Sequence, residues 1–148
     1  MADSFSTVEV LDHTRCVALL ATVHTGRVVF TSRAMPAVRP VRFAVRDDAI
    51  WFRMPVGDLW PAGVLDTVVA LAVDDVTPDL DAGWFVTVLG RACEVRDRHL
   101  TDEMATLLPA APDEHRYVRV LVESISGHTI RSLAPAAEGV SPNARQVR

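Results

Sequence analysis

Lysine is missing altogether: the fifteen basic residues of this 148-residue chain are all arginine. Without a side-chain amine no Schiff base can form, with or without pyridoxal phosphate, and the lysine of a phosphate-binding P-loop is absent as well. Cysteine is scarce. Cys16 and Cys93 stand apart in apolar sequence, which predicts reduced core thiols and neither a disulfide nor a metal pair. Five histidines, His13, His24, His99, His115 and His128, share no metal-ligand spacing on one element. Neither G-x-S-x-G nor G-x-G-x-x-G occurs, so the serine-hydrolase elbow and the Rossmann dinucleotide turn are both excluded. Asp74 and Asp75 are adjacent, and neighbours on a strand point to opposite faces, which argues against a catalytic carboxylate pair. The acidic stretch 74–83 lacks the alternating ligand positions of a calcium loop and reads as solvated. No apolar run reaches membrane-spanning length, and the N-terminus lacks the basic flank and apolar core of a signal peptide. A cytoplasmic protein without a membrane partner is expected. The net charge of −4 offers no basic footprint for nucleic acid.

What remains is rich in valine and alanine, 49 % hydrophobic and only 6 % aromatic, as suits one β-rich domain. Ser6-Thr7-Val8-Glu9 has capping-box spacing, which predicts a short helix over 6–15. Residues 16–24, 27–32, 67–73 and 84–96 read as strands, the last interrupted at Gly90, where a bulge or a close backbone approach is expected. Met35-Pro36 reads as a break. Trp60-Pro61-Ala62-Gly63 reads as a helical turn and Thr101 as the cap of a helix to Leu108. A further strand spans 117–125, and Gly127 bends it before 128–131. The domain is expected to occupy 1–133, followed by a loose tail over 134–148. Seven short strands suit a sandwich or a barrel. The long strand interrupted at Gly90 favours closure, so the expected fold is mainly β (β-rich α+β), an antiparallel barrel with small helices filling its ends.

The most informative stretch is Val38–Leu59. Alternation on either side of Asp47-Asp48 predicts a hairpin with Val41, Phe43, Val45, Ile50, Phe52 and Met54 on a core face. The other face carries Pro40, Arg42, Ala44, Trp51 and Arg53. Symmetric pairing sets Arg42 opposite Arg53, and two like charges so placed call for water, carboxylates or a bound anion. Pro55-Val56-Gly57-Asp58-Leu59 follows as a tight turn whose glycine can bring N–H groups near an anion. Arginines, a glycine turn and several indoles together suit a planar, phosphorylated ligand such as FMN, or a haem through its propionates.

CVALLATVHTGRVVFTS, MPAVRPVRF, IWFR with its glycine turn, AVDD, GWFVTVLGRACEV and YVRVLVESISGHTI, in that order, resemble the pyridoxamine 5′-phosphate oxidase-like split-barrel superfamily, in its small actinobacterial-type flavin-binding branch. The resemblance implies a six- to seven-stranded Greek-key split barrel, a homodimer with FMN at the subunit interface, and an oxidoreductase acting on a small molecule. Carried over by position, the cofactor-binding residues are Pro40, Val41, Arg42, Phe43, Arg53, Met54, Gly57, Asp58, Leu59, Trp84 and Phe85. Met54 stands where similar proteins have threonine, and Asp58-Leu59 where they have serine or threonine and then lysine. Arg42 replaces an asparagine and can restore one cation, while Phe85 replaces a small polar residue. No proton donor is singled out; His24, His115 and Tyr117 are candidates. The altered turn keeps open two other readings, a barrel that takes deazaflavin or haem and a non-enzymatic ligand-binding or interaction dimer.

Overall fold

The computed structural model describes residues 6–57, 60–109, 111 and 114–132. Eight strands and two helices follow in the order β1 (Ser6–Val10), α1 (His13–Leu20), β2 (Thr25–Ser32), β3 (Met35–Arg46), β4 (Ala49–Pro55), β5 (Val68–Val76), β6 (Ala82–Val95), α2 (Arg98–Leu107), β7 (His115–Leu121) and β8 (Ser124–Ser132), with a 3-10 turn at Ala62–Val64. The sheet order is β1-β8-β6-β5-β2-β3-β4-β7, and an additional β6–β7 pairing closes six of these strands into a ring. Closure selects the barrel over the sandwich. The β-rich split barrel expected from the sequence is the fold observed.

Strand alternation builds the core. Val28, Phe30, Val41, Phe43, Ile50, Phe52, Met54, Val69, Leu71, Val73, Val86, Val88, Val118 and Val120 are all buried, each contributing roughly 1.5–3 kcal/mol by leaving water. The central hairpin pairs as expected, Phe43 with Phe52 and Val45 with Ile50. Its turn residues Asp47 and Asp48 lie at φ 53° and 56°, the left-handed pair that matches strand twist in a two-residue hairpin.

The ladder stops at the Phe43–Phe52 rung, short of the Arg42–Arg53 rung that symmetric pairing predicts. Arg42 is paired with Thr25 of β2, and Arg53 with Tyr117 of β7. Two physical causes coincide there. Like charges oppose the next rung, and the hydrogen-bonding rung after it would set Pro40 against Pro55, neither of which has an N–H to donate. β3 and β4 therefore part at this point, and the barrel is split between them.

Gly90 marks the second departure from a simple ring. One edge of β6 pairs with β8 over Ala82–Leu89 and then with β7 over Ala92–Val95. At the changeover a Cβ on Gly90 would lie 2.0 Å from the Leu121 carbonyl oxygen, so the close backbone approach expected there is observed. Because the chain turns between Leu121 and Ser124, the strand read over 117–125 is divided between β7 and β8.

Five local expectations are corrected. Residues 6–10 form β1, paired with the edge of β8, so the helix expected over 6–15 is not found; the alternation in Thr7-Val8-Glu9-Val10 serves a strand once a partner edge exists. The helix is α1, which begins at His13 and runs into the stretch read as a strand over 16–24, as far as Leu20. The Asp12 carboxylate caps it, accepting from the Arg15 N–H at 2.8 Å, and Cys16 and Leu20, one turn apart, are buried. Met35-Pro36 does not interrupt the chain but opens β3, after a turn at Arg33-Ala34 with φ 52° and 61°. The second helix starts three residues before Thr101, with Asp97 as its cap. It does not fill a barrel end. It covers the outward face of β4, where Ala49, Trp51, Val95 and Met104 form a second buried cluster with Leu100 and Tyr117.

Candidate functional site

Where β3 and β4 diverge, Trp60 plugs the opening from the inside. Its ring stacks on Phe30 at 5.4 Å and tilts against Phe52 at 5.8 Å, and only 6 % of the residue is exposed. Over this plug lies a cleft of about 590 Å³ lined by Arg33, Met54, Pro55, Val56, Gly57, Trp60, Pro61, Ala62 and Arg116, a volume in the range of small-molecule sites. Gly57 has φ +153° and nothing within 4 Å of the place a Cβ would take, so its bare backbone borders the cleft. Arg116 is held from behind: its Nε lies 3.4 Å from Glu94 Oε1, and the Glu94 side chain is only 16 % exposed.

The residues singled out in the sequence are divided among three places. Met54 and Gly57 meet at the cleft. Pro40 and Arg42 are exposed on the outward side of β3, whereas Val41 and Phe43 between them are buried in the core. Arg53 does not line the cleft. Its Nη2 donates to the Leu108 carbonyl at 2.8 Å, at the C-terminus of α2, and its guanidinium lies over Tyr117 at 5.8 Å. Trp84 is half-buried against the core. Phe85 is exposed on the outward face and stacked on His128 at 5.1 Å. Asp58 and Leu59 lie outside the described residues.

Arg33 and Arg116 were not found by sequence reasoning. The first sits in a hairpin turn hidden by reading Met35-Pro36 as a break, and the second reaches the cleft only because β7 pairs with β4, setting Arg116 opposite Met54. Of the proton-donor candidates, His24 is exposed, and His115 meets Tyr117 edge-on at 5.0 Å. Among the described residues no three His, Cys, Asp or Glu side chains are grouped to hold a metal, and no helix is long and apolar enough to cross a membrane.

The outward face of β3, β2, β5 and β6 is the other feature of note. The register places Val38, Val29, Ala70 and Leu89 in one row and Pro40, Arg27, Ala72 and Thr87 in the next. Val38 is 47 % and Leu89 41 % exposed, and Val68 and Phe85 are exposed on the same face. A smaller cleft of about 260 Å³ is lined by Thr25, Gly26, Arg27, Pro40, Ala72 and Asp74. In the exposed loop 77–81, hydrogen bonding led by the Thr77 hydroxyl holds the Asp79 carboxyl below its ordinary value, and sharing a hydrogen bond with Asp79 raises Asp81.

Comparison with known proteins accords with this architecture. The profile of the family described as Pyridoxamine 5′-phosphate oxidase matches residues 12–129. The chain is similar to the uncharacterized protein Rv0080 of Mycobacterium tuberculosis, 36 % identical over 123 residues that cover 78 % of this chain and 75 % of the relative. Among solved structures it is similar to the FAD binding protein from Mycobacterium smegmatis, with a TM-score of 0.68 and 29 % identity over 84 % of this chain and 100 % of that one. It is similar also to a candidate pyridoxamine 5′-phosphate oxidase from Corynebacterium glutamicum, with a TM-score of 0.69 and 25 % identity over 84 % and 94 % of the two chains.

Proposed function

The chain belongs to the pyridoxamine 5′-phosphate oxidase family, and from that premise we propose that it is a flavin-binding oxidoreductase, a cytoplasmic homodimer that uses FMN to act on a small organic substrate. The observation that carries the reading is the cleft at the β3–β4 split, with apolar walls of Pro55, Val56, Trp60 and Pro61, the bare backbone of Gly57, and arginine at its rim. These groups fit a planar ring system that ends in a phosphate. Support also comes from the similar Mycobacterium smegmatis protein, which binds FAD by its description.

In this reading Gly57 and the arginine rim hold the phosphate end, while Pro55, Val56, Trp60 and Pro61 wall the ring. A bound flavin supplies hydride chemistry, and the protein contributes position and polarity. Trp60 keeps water out of the barrel beneath the cleft. Exposed Val38, Val68, Phe85 and Leu89 give a second copy an apolar face to cover, which brings Phe85 to the interface, while the neighbouring Trp84 points to the core.

The purified protein tests the proposal. Flavin absorption bands, or their appearance on titration with FMN, with sedimentation at twice the chain mass, are the expected results. A Soret band in their place would make the barrel a haem protein, and a sample that stays colourless after FMN is added refutes flavin binding.

A further inference from the structure

Family resemblance assigns the phosphate to Arg53, yet that guanidinium is engaged with the Leu108 carbonyl and Tyr117 and does not line the cleft. The turn after β4 also lacks the lysine of similar proteins, because the chain has none. A phosphate at Gly57 therefore needs cations from elsewhere. We propose that Arg116 and Arg33 form the phosphate clamp of this site, an assignment that rests on the flavin reading above and names the groups that recognise its anionic end.

Three observations carry the assignment. Both arginines line the cleft that Gly57 borders. They arrive from different elements, Arg116 from β7 directly opposite Met54 and Arg33 from the β2–β3 turn, so they can engage a phosphate from two sides. The Arg116 guanidinium is also oriented. Glu94, largely buried, lies 3.4 Å from its Nε while the other carboxylate oxygen holds Arg96, and among the described residues the two terminal nitrogens of Arg116 carry no hydrogen bond. A guanidinium fixed on one side by a carboxylate and free on the other presents parallel N–H donors to a second anion. Arg33 has no ion-pair partner among the described residues and is exposed in its turn. Glu94 acts here as a positioning residue, since it touches Arg116 and does not line the cleft.

The test compares FMN with riboflavin, which shares the ring and lacks the phosphate. Binding is followed by flavin fluorescence for the full-length protein and for R33A, R116A and E94Q. R33A and R116A should each weaken FMN about ten- to a hundredfold, as loss of a charge-assisted hydrogen bond implies, and leave riboflavin affinity as it was, so that the preference for FMN falls. E94Q should lower that preference by a smaller factor, and R116K should restore part of it. An unchanged preference for FMN in both R33A and R116A overturns the clamp. Because R116A also removes one of the two arginines paired with the largely buried Glu94, thermal unfolding accompanies each variant, and R33A, at an exposed turn, answers the question even where R116A folds poorly. If neither flavin binds the unaltered protein, inorganic phosphate is titrated against it and followed by ³¹P NMR. Binding that R33A or R116A abolishes sustains the clamp although the flavin reading has failed, and absence of phosphate binding sinks the clamp as well.

Discussion

Replacing Arg53 by alanine separates two roles that the family resemblance and the geometry assign differently. In the structure Arg53 ties the end of α2 to β4 through the 2.8 Å bond from Nη2 to the Leu108 carbonyl, and it lies over Tyr117 at 5.8 Å. Removing it strands a carbonyl in a part-buried setting, at a cost of about 1–3 kcal/mol. Loss of a cation at a helix C-terminus adds about 0.3–1 kcal/mol, and loss of the contact with the Tyr117 ring about 0.5–1 kcal/mol. Against this, the buried Arg53 Nε has no hydrogen-bond partner, and deleting it returns about 1 kcal/mol or more. The net expectation is a loss of about 1.5–3 kcal/mol, or about 4–10 °C in Tm for a chain of this length. Circular dichroism on heating and a urea titration measure it. Trp51 reports on the cause, since α2 buries it to 4 % exposure; a loosened helix shifts its fluorescence to the red. R53K, which keeps the charge but not the fork, should fall between the two. A variant as stable as the unaltered protein that nevertheless loses FMN a hundredfold or more would refute the reasoning and restore Arg53 as a phosphate ligand.

Two further substitutions probe the architecture that positions the cleft. Gly90→Ala would place its Cβ 2.0 Å from the Leu121 carbonyl oxygen and 2.8 Å from Val120 Cγ1, so the backbone must shift and a loss of at least about 1–3 kcal/mol is expected in urea titration; an unaltered midpoint would contradict the close approach of β7. Trp60→Ala removes the ring stacked on Phe30 and beside Phe52, with an expected loss of about 3–5 kcal/mol and weaker binding of both FMN and riboflavin, since the cleft loses its floor. Binding of both flavins by W60A as tight as by the unaltered protein would separate the plug from the site.

The central hairpin was legible because its evidence is local. Alternation over residues 38–54 tells which side chains share a face, and two aspartates between the runs suffice for a left-handed turn, so Val41, Phe43, Ile50, Phe52 and Met54 of the core follow from pattern alone, whereas Val45 is only half-buried and the burial of Trp51 depends on α2. Gly90 announced a close approach in the same way. The N-terminal stretch reads two ways because Ser6 to Val10 satisfies two local rules at once, a capping box and an alternating strand; the free edge of β8, more than a hundred residues away in the chain, decides between them. The stretch from Cys16 to Leu20 suits helix or strand equally until a barrel interior takes up Cys16 and Leu20.

The candidate site divides along the same line. Met54 and Gly57 could be picked out by their place beside a turn, and the chain's lack of lysine already showed that any anion must be met by arginine. Which arginines line the cleft was a tertiary matter. Arg53 and Arg116 differ in role because β4 lies against β7 in one register, with α2 covering one face and the open split on the other. Side-chain alternation is a property of neighbouring peptides and is written into the chain, whereas the pairing of distant strands depends on which edges are free after the loops close, and that information no local stretch contains.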